Sequence, residues 1–97
     1  MRVISRKCLN ELARRHLDAK PGRDAWFHEA EDADWANPAQ LKEQYATASI
    51  LKNGRVVFNV GGNKYRLVVR INYAYRVIYV RFAGTHSEYN QIDAQDI

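Results

Sequence analysis

Residues 53–82 read NGRVVFNVGGNKYRLVVRINYAYRVIYVRF, and this stretch decides the fold. Apolar and polar residues alternate along it with period two, the period of a half-buried strand. Asn53-Gly54 is the strongest short hairpin signal, and Gly61-Gly62-Asn63 marks a second tight turn. The pattern predicts a strand over Val56 to Val60, the longest over Lys64 to Tyr73, and a last one over Arg76 to Phe82. Ala74-Tyr75 turns the chain between the last two, and Ser49 to Leu51 predicts a further strand ahead of Asn53.

Alternation also sorts the faces of this meander. Tyr65, Leu67, Val69, Ile71 and Tyr73 point one way, with Val56, Phe58, Val60, Ile78, Val80 and Phe82 on the same side of the flanking strands. The opposite face gathers Asn59, Lys64, Arg66, Arg70, Tyr79 and Arg81. From Lys52 to Arg81 the bases are Lys52, Arg55, Lys64, Arg66, Arg70, Arg76 and Arg81, and no acid interrupts them. A merely solvated antiparallel face is polar too, but it usually mixes signs to gain cross-strand pairs. Holding like charges together costs stability, which points to an anion outside the chain, and RNA phosphate is the obvious one.

Upstream, the period changes to that of helices. Met1 to Ile4 predicts an edge strand, and Ser5 an N-cap for a helix running to about Asp18, with Cys8, Leu9, Leu12, Ala13 and Leu17 on one face. Pro21-Gly22 is expected to break that helix, and a second follows through Trp26, Phe27, Ala30 and Ala33. Asn37-Pro38 reads as N-cap and first-turn proline of a short third helix ending near Tyr45. Helices first and an antiparallel sheet after make the class α+β.

Ninety-seven residues, 46% of them apolar, suffice for one domain, 1–97, with one modest core. No segment approaches a membrane span and none resembles a signal peptide, so a cytoplasmic protein is expected. The lone Cys8 excludes an intramolecular disulfide and reads as a small buried apolar residue. His16, His28 and His86 lack ligand spacing, so neither a metal site nor a cofactor is expected. Trp26 and Trp35 read as core or partner contacts rather than stacking platforms.

Two segments carry a resemblance. Val57 to Leu67, with its Gly61-Gly62-Asn63-Lys64-Tyr65-Arg66 centre, resembles the signature of the HigB toxins, a branch of the RelE superfamily. Gly84-Thr85-His86-Ser87-Glu88-Tyr89 resembles the family's terminal motif, in which Thr-His precedes a Tyr by a fixed step. The similarity extends over nearly the whole chain and is strongest from Asn53 to Asp93. It implies a RelE-like fold, with two or three helices on a twisted antiparallel sheet. It implies an mRNA endonuclease acting on messages at the ribosome. It also implies a HigA-type helix-turn-helix antitoxin, through which alone the protein would meet operator DNA.

Cleavage of RNA through its 2′-hydroxyl needs a base, cations for the phosphorane charge and an acid for the leaving 5′-oxygen. Arg66 stands where the resemblance places the phosphate-stabilising arginine, and Arg81 on the adjacent strand is a second candidate. His86 titrates near neutrality and can move the proton, while Tyr89 can act as acid/base, stack on a base or pack the tail. Lys64 can bind phosphate or act as a base. Asn59, Arg70 and Lys52 are the candidate substrate-binding residues, although Asn59 can equally shape its turn. The alternatives are a non-catalytic RNA- or ribosome-binding module using the same face, and a protein-interaction domain docking an acidic segment.

Overall fold

Alternating apolar residues joined by turns that need positive φ leave the chain little choice but a meander. In the computed structural model, which describes residues 1–97, Arg55–Val60, Tyr65–Asn72 and Val77–Thr85 are paired strands. In chain order the elements are β1 (Arg2–Ile4), α1 (Lys7–Arg15), α2 (Lys20–Asp32), α3 (Pro38–Gln44) and β2 (Ser49–Ile50). Then come β3 (Arg55–Val60), β4 (Tyr65–Asn72), β5 (Val77–Thr85) and the one-turn α4 (His86–Tyr89). The sheet order is β1-β5-β4-β3-β2, antiparallel except that β1 lies parallel to β5 and makes the sheet mixed.

Both tight turns form as the sequence predicts. Asn53 and Gly54 take φ of 57° and 74°, and Gly61, Gly62 and Asn63 take 62°, 64° and 73°. Asn37 caps α3, its side chain accepting from the Gln40 backbone N–H at 3.0 Å.

The helices cover one face of the sheet. Phe58, fully buried, is the centre of an aromatic cluster with Trp26 edge-on at 5.4 Å, Tyr45 at 5.0 Å and Trp35 stacked at 6.2 Å. Leu9, Leu12, Leu41, Leu67 and Ile78 complete this core, and Cys8 is half-buried at its margin.

Local geometry corrects several expectations. Ser5 does not cap α1: it sits at φ 60°, and Arg6 precedes the helix without a side-chain cap. Extended backbone at His16 (φ −133°, ψ 93°) ends α1 at Arg15, short of Asp18, and a 3₁₀ turn over Leu17–Ala19 follows. Leu17 therefore leaves the apolar face and is 78% exposed. Pro21-Gly22 is the first turn of α2, not a break, since a proline there forfeits no helical hydrogen bond. A Cβ on Gly22 would lie 2.6 Å from the Gly61 nitrogen, so the glycine lets α2 start against the β3–β4 turn.

The strands differ in length and in one register. β5, with 9 residues, is longer than β4 with 8, and it runs past the expected end at Phe82 through Gly84, which pairs with Arg66, to Thr85. Val69 pairs with Val80 and Val68 with Phe82, so Arg81 is an extra residue in β5. This bulge reverses the alternation beyond it. Phe82 turns to the face away from the helices, and Ala83 takes the core position opposite Leu67.

That face is not simply open. Val57, Val68 and Phe82 form an apolar strip across it, and Ala94, Ile92, Tyr89 and Ile97 of the C-terminal segment pack on the strip. Phe58→Ala should destabilise the protein by about 3–5 kcal/mol, the usual cost of emptying a large core site. Denaturant unfolding followed by tryptophan fluorescence measures this directly.

Candidate functional site

Strand register arranges the face away from the helices in rungs. Asn59, Arg66 and Gly84 form one rung, Val57, Val68 and Phe82 the next, and Arg55, Arg70 and Tyr79 the third. The C-terminal segment crosses the middle rung, so basic side chains emerge on both sides of it. Arg66 and Arg70 are separated by about 13 Å of strand at roughly 3.3 Å per residue.

Arg66 stands beside the β3–β4 turn, half-buried, its Nη1 donating to Asn63 Oδ1 at 2.9 Å. No carboxylate pairs with it, and across the ladder it stands opposite Gly84. Next to Gly84 the chain turns into α4. Thr85 Oγ1 accepts from the Glu88 N–H at 3.2 Å while Glu88 Oε1 accepts from the Thr85 N–H at 2.9 Å, a reciprocal capping box. This lock fixes the backbone that carries His86, whose ring is exposed.

Glu88 does a second job, bonding Arg15 of α1 at 2.7 Å. The Thr85 N–H, then the Arg15 guanidinium, hold its carboxyl down at about 2. A Cβ on Gly84 would lie 2.7 Å from Phe82 Cζ and 2.9 Å from Glu88 Oε1, so any side chain there would have to displace one or both. Tyr89, three residues after His86 and so on the same side of α4, packs its ring 6.5 Å from that of Phe82.

The sequence-derived candidates thus divide. Arg66 and the turn that begins with His86 lie at one end of the sheet, near the β3–β4 turn, while Tyr89 packs on Phe82 of the middle rung. Arg70 and Arg81 lie across the apolar strip, in an open depression of about 730 Å³ shared with Arg55, Tyr79, Asn53 and Asn72. Lys52 is exposed in the β2–β3 connection, next to Asn53 of that depression. Asn59 donates to the Thr47 carbonyl at 3.2 Å and ties β3 to the segment before β2.

Lys64 is a correction. It lies in the turn rather than in β4, so strand alternation does not govern it, and its Nζ reaches Asp18 at 3.4 Å on the helical side. Asp18 also accepts from the Tyr65 hydroxyl at 2.6 Å, and that bond, followed by Lys64, draws its carboxyl below the ordinary value.

Sequence reasoning missed Arg15, Glu88 and Arg55. Thr85-x-x-Glu88 carries the capping-box spacing and could have placed Glu88. Nothing local signals that Arg15 crosses to it from 73 residues away.

A mixed five-stranded sheet, with helices on one face and acid-free basic rungs on the other, defines the class of small RelE-like α+β toxin domains. Residues 20–92 match the family model of HigB_toxin, the RelE-like toxic component of a toxin–antitoxin system, and the chain belongs to that family. It is 23% identical over 94 residues to the mRNA interferase HigB of Escherichia coli O6:H1, covering 95% of this chain and 91% of the relative. It is 28% identical over 92 residues to the mRNA interferase toxin HigB of Escherichia coli K12, covering 93% and 88%. The mRNA interferase HigB of Shigella flexneri matches to the same extent.

Because the folded Glu88 carboxyl titrates below its ordinary value of 4.5, its anchoring of α4 is fully present above that pH and is lost as pH falls towards about 2. NMR contacts between the Tyr89 and Phe82 rings should therefore persist at pH 5 and weaken towards pH 2. A Glu88→Ala variant should show the weakened contacts already near neutrality.

Proposed function

We propose that this chain is an endoribonuclease toxin that cleaves translated mRNA at the ribosome and so arrests protein synthesis. The observation that carries the reading is the acid-free basic face, with Arg66 beside the braced turn that presents His86. The family match and the names of the relatives, mRNA interferases all, support it.

The step is a transesterification. A base takes the proton of the ribose 2′-OH, the O2′–P bond forms, and the P–O5′ bond breaks. The 5′-oxygen leaves with a proton from an acid, giving a 2′,3′-cyclic phosphate and a 5′-hydroxyl. Arg66 holds the phosphorane charge with a planar fork of donors. His86 moves a proton, on a backbone that the capping box holds still. Tyr89, seated on Phe82, serves as a stacking surface or proton donor. Lys64 acts only if it leaves Asp18. Asn59 frames the turn beside Arg66, and Lys52 adds positive charge near the far end. Side chains supply every charge in this scheme, without metal or cofactor.

The partner that neutralises the toxin is a HigA-type helix-turn-helix antitoxin, and the compartment is the cytoplasm, where the message is translated. A second reading, a non-catalytic RNA- or ribosome-binding module, draws on the packing of Tyr89 against Phe82, which leaves that hydroxyl no fixed role.

Primer extension on a reporter message after induction separates the two. New 5′ ends within translated codons, absent from an Arg66→Ala, His86→Ala double variant, are expected. Growth arrest without new ends would establish the binding module instead. The purified chain should cleave naked RNA at least about a hundredfold more slowly than translated message, since the ribosome supplies the orientation that this open site lacks.

A further inference from the structure

We propose that the depression formed by Arg55, Arg70, Tyr79 and Arg81 is a second RNA subsite, which takes single-stranded nucleotides flanking the scissile step. This rests on the reading of Arg66 and His86 as the cleavage centre.

Arg55 and Arg70 are direct cross-strand partners, and Tyr79 is the partner of Arg70 on its other side. Like charges placed directly opposite each other destabilise a sheet. Arg70 and Arg81 are exposed, make no ion pair and carry no side-chain hydrogen bond. By contrast Arg15, Lys20, Arg23, Lys64 and Arg76 are each paired with a carboxylate. Arg70 and Arg81 thus have their guanidinium donors free for an external anion.

The bulge contributes to the arrangement. As the extra residue of β5, Arg81 adds a third guanidinium to the depression beside the Arg55–Arg70–Tyr79 rung. Arg55 is held in place, its Nε donating to the Ile97 carbonyl at 2.9 Å, while Arg70 and Arg81 keep guanidinium forks that match phosphate oxygens. Tyr79, half-buried in the same wall, offers a ring on which a base can stack whatever its identity. With about 13 Å of strand between Arg66 and Arg70, neighbouring nucleotides of one strand can occupy both places. The C-terminal segment between them leaves the two positively charged surfaces on either side of a low apolar ridge.

The test is binding of a 2′-O-methyl oligonucleotide of about nine nucleotides, within the ~4–16 nucleotides that single-strand grooves accept. This probe cannot be cleaved, so affinity is read apart from chemistry. Arg70→Gln, Arg81→Gln together should weaken binding about tenfold and lower the slope of log K against log salt by about 1.4, near 0.7 per lost phosphate contact. Tyr79→Leu should weaken it at least about fivefold, while Tyr79→Phe, which keeps the ring, should bind as the unaltered protein does. Unchanged affinity and slope in the double arginine variant would overturn the subsite, as would absence of any binding by the unaltered protein. Tighter binding of a base-paired hairpin than of the single strand would assign the depression to structured ribosomal RNA and overturn the single-strand proposal. An Arg66→Gln variant in primer extension keeps the premise separate. If it abolishes cleavage while the arginine pair leaves binding untouched, the cleavage centre stands and the subsite alone falls.

Discussion

Val69 pairs with Val80 and Val68 with Phe82, which leaves Arg81 as one residue more than β4 can match. Everything downstream follows from that surplus. Before it, odd and even positions of β5 divide cleanly between core and solvent. After it, Phe82 stands on the face away from the helices, and Ala83 takes the core position opposite Leu67. An exposed phenylalanine among arginines would be a poor surface residue, so the chain covers it. Ala94, Ile92, Tyr89 and Ile97 fold back over Phe82, Val57 and Val68 and make a second, small apolar cluster. The bulge thus recruits the tail, while the β4–β5 register, with Gly84 opposite Arg66, sets where the His86 turn begins.

The helical side fixes the other end of that motif. Glu88 closes the capping box around Thr85 and at the same time bonds Arg15 at the end of α1. Both partners are well exposed, so the ion pair itself contributes little to global stability. Its value is positional: one carboxylate links α1, the end of β5 and α4. Gly84 makes this possible, because any side chain there would collide with Phe82 and with Glu88. A catalytic or binding group on a terminal one-turn helix would otherwise fray with it.

Most of the sheet was legible because its information is local. Asn53-Gly54, Gly61-Gly62-Asn63 and the alternation of Val56, Phe58 and Val60 are each read within a few residues, and Asn37-Pro38 is equally self-contained. What failed was non-local. The bulge leaves Val80, Arg81 and Phe82 looking like an unbroken alternation, since the surplus exists only relative to Val68 and Val69 across the ladder. Leu17 fits the helical period but the chain breaks at His16, where Asp18 is drawn to Tyr65 and Lys64 from the far end of the sheet. The same bond removed Lys64 from the basic face to which alternation assigned it. Arg66 was found because strand position and family motif agree on it. His86 came from the motif alone, and the roles of both rest on experiment.

The electrostatic pattern sharpens what a bare arginine means here. Had the strands merely needed solubility, one glutamate opposite Arg70 would have replaced repulsion with a favourable cross-strand pair of about 0.2–1 kcal/mol. Acids are not scarce in the chain: Asp18, Asp24, Asp34 and Glu88 each take up a base, all from helices, loops or the tail. None comes from β3, β4 or β5, so the sheet keeps its repulsion although means to relieve it lie elsewhere in the same fold. An external polyanion lying along the sheet would relieve that repulsion, which is what the proposed reading requires. The three rungs give that polyanion a direction, from Arg66 across the apolar ridge to Arg55 and Arg70.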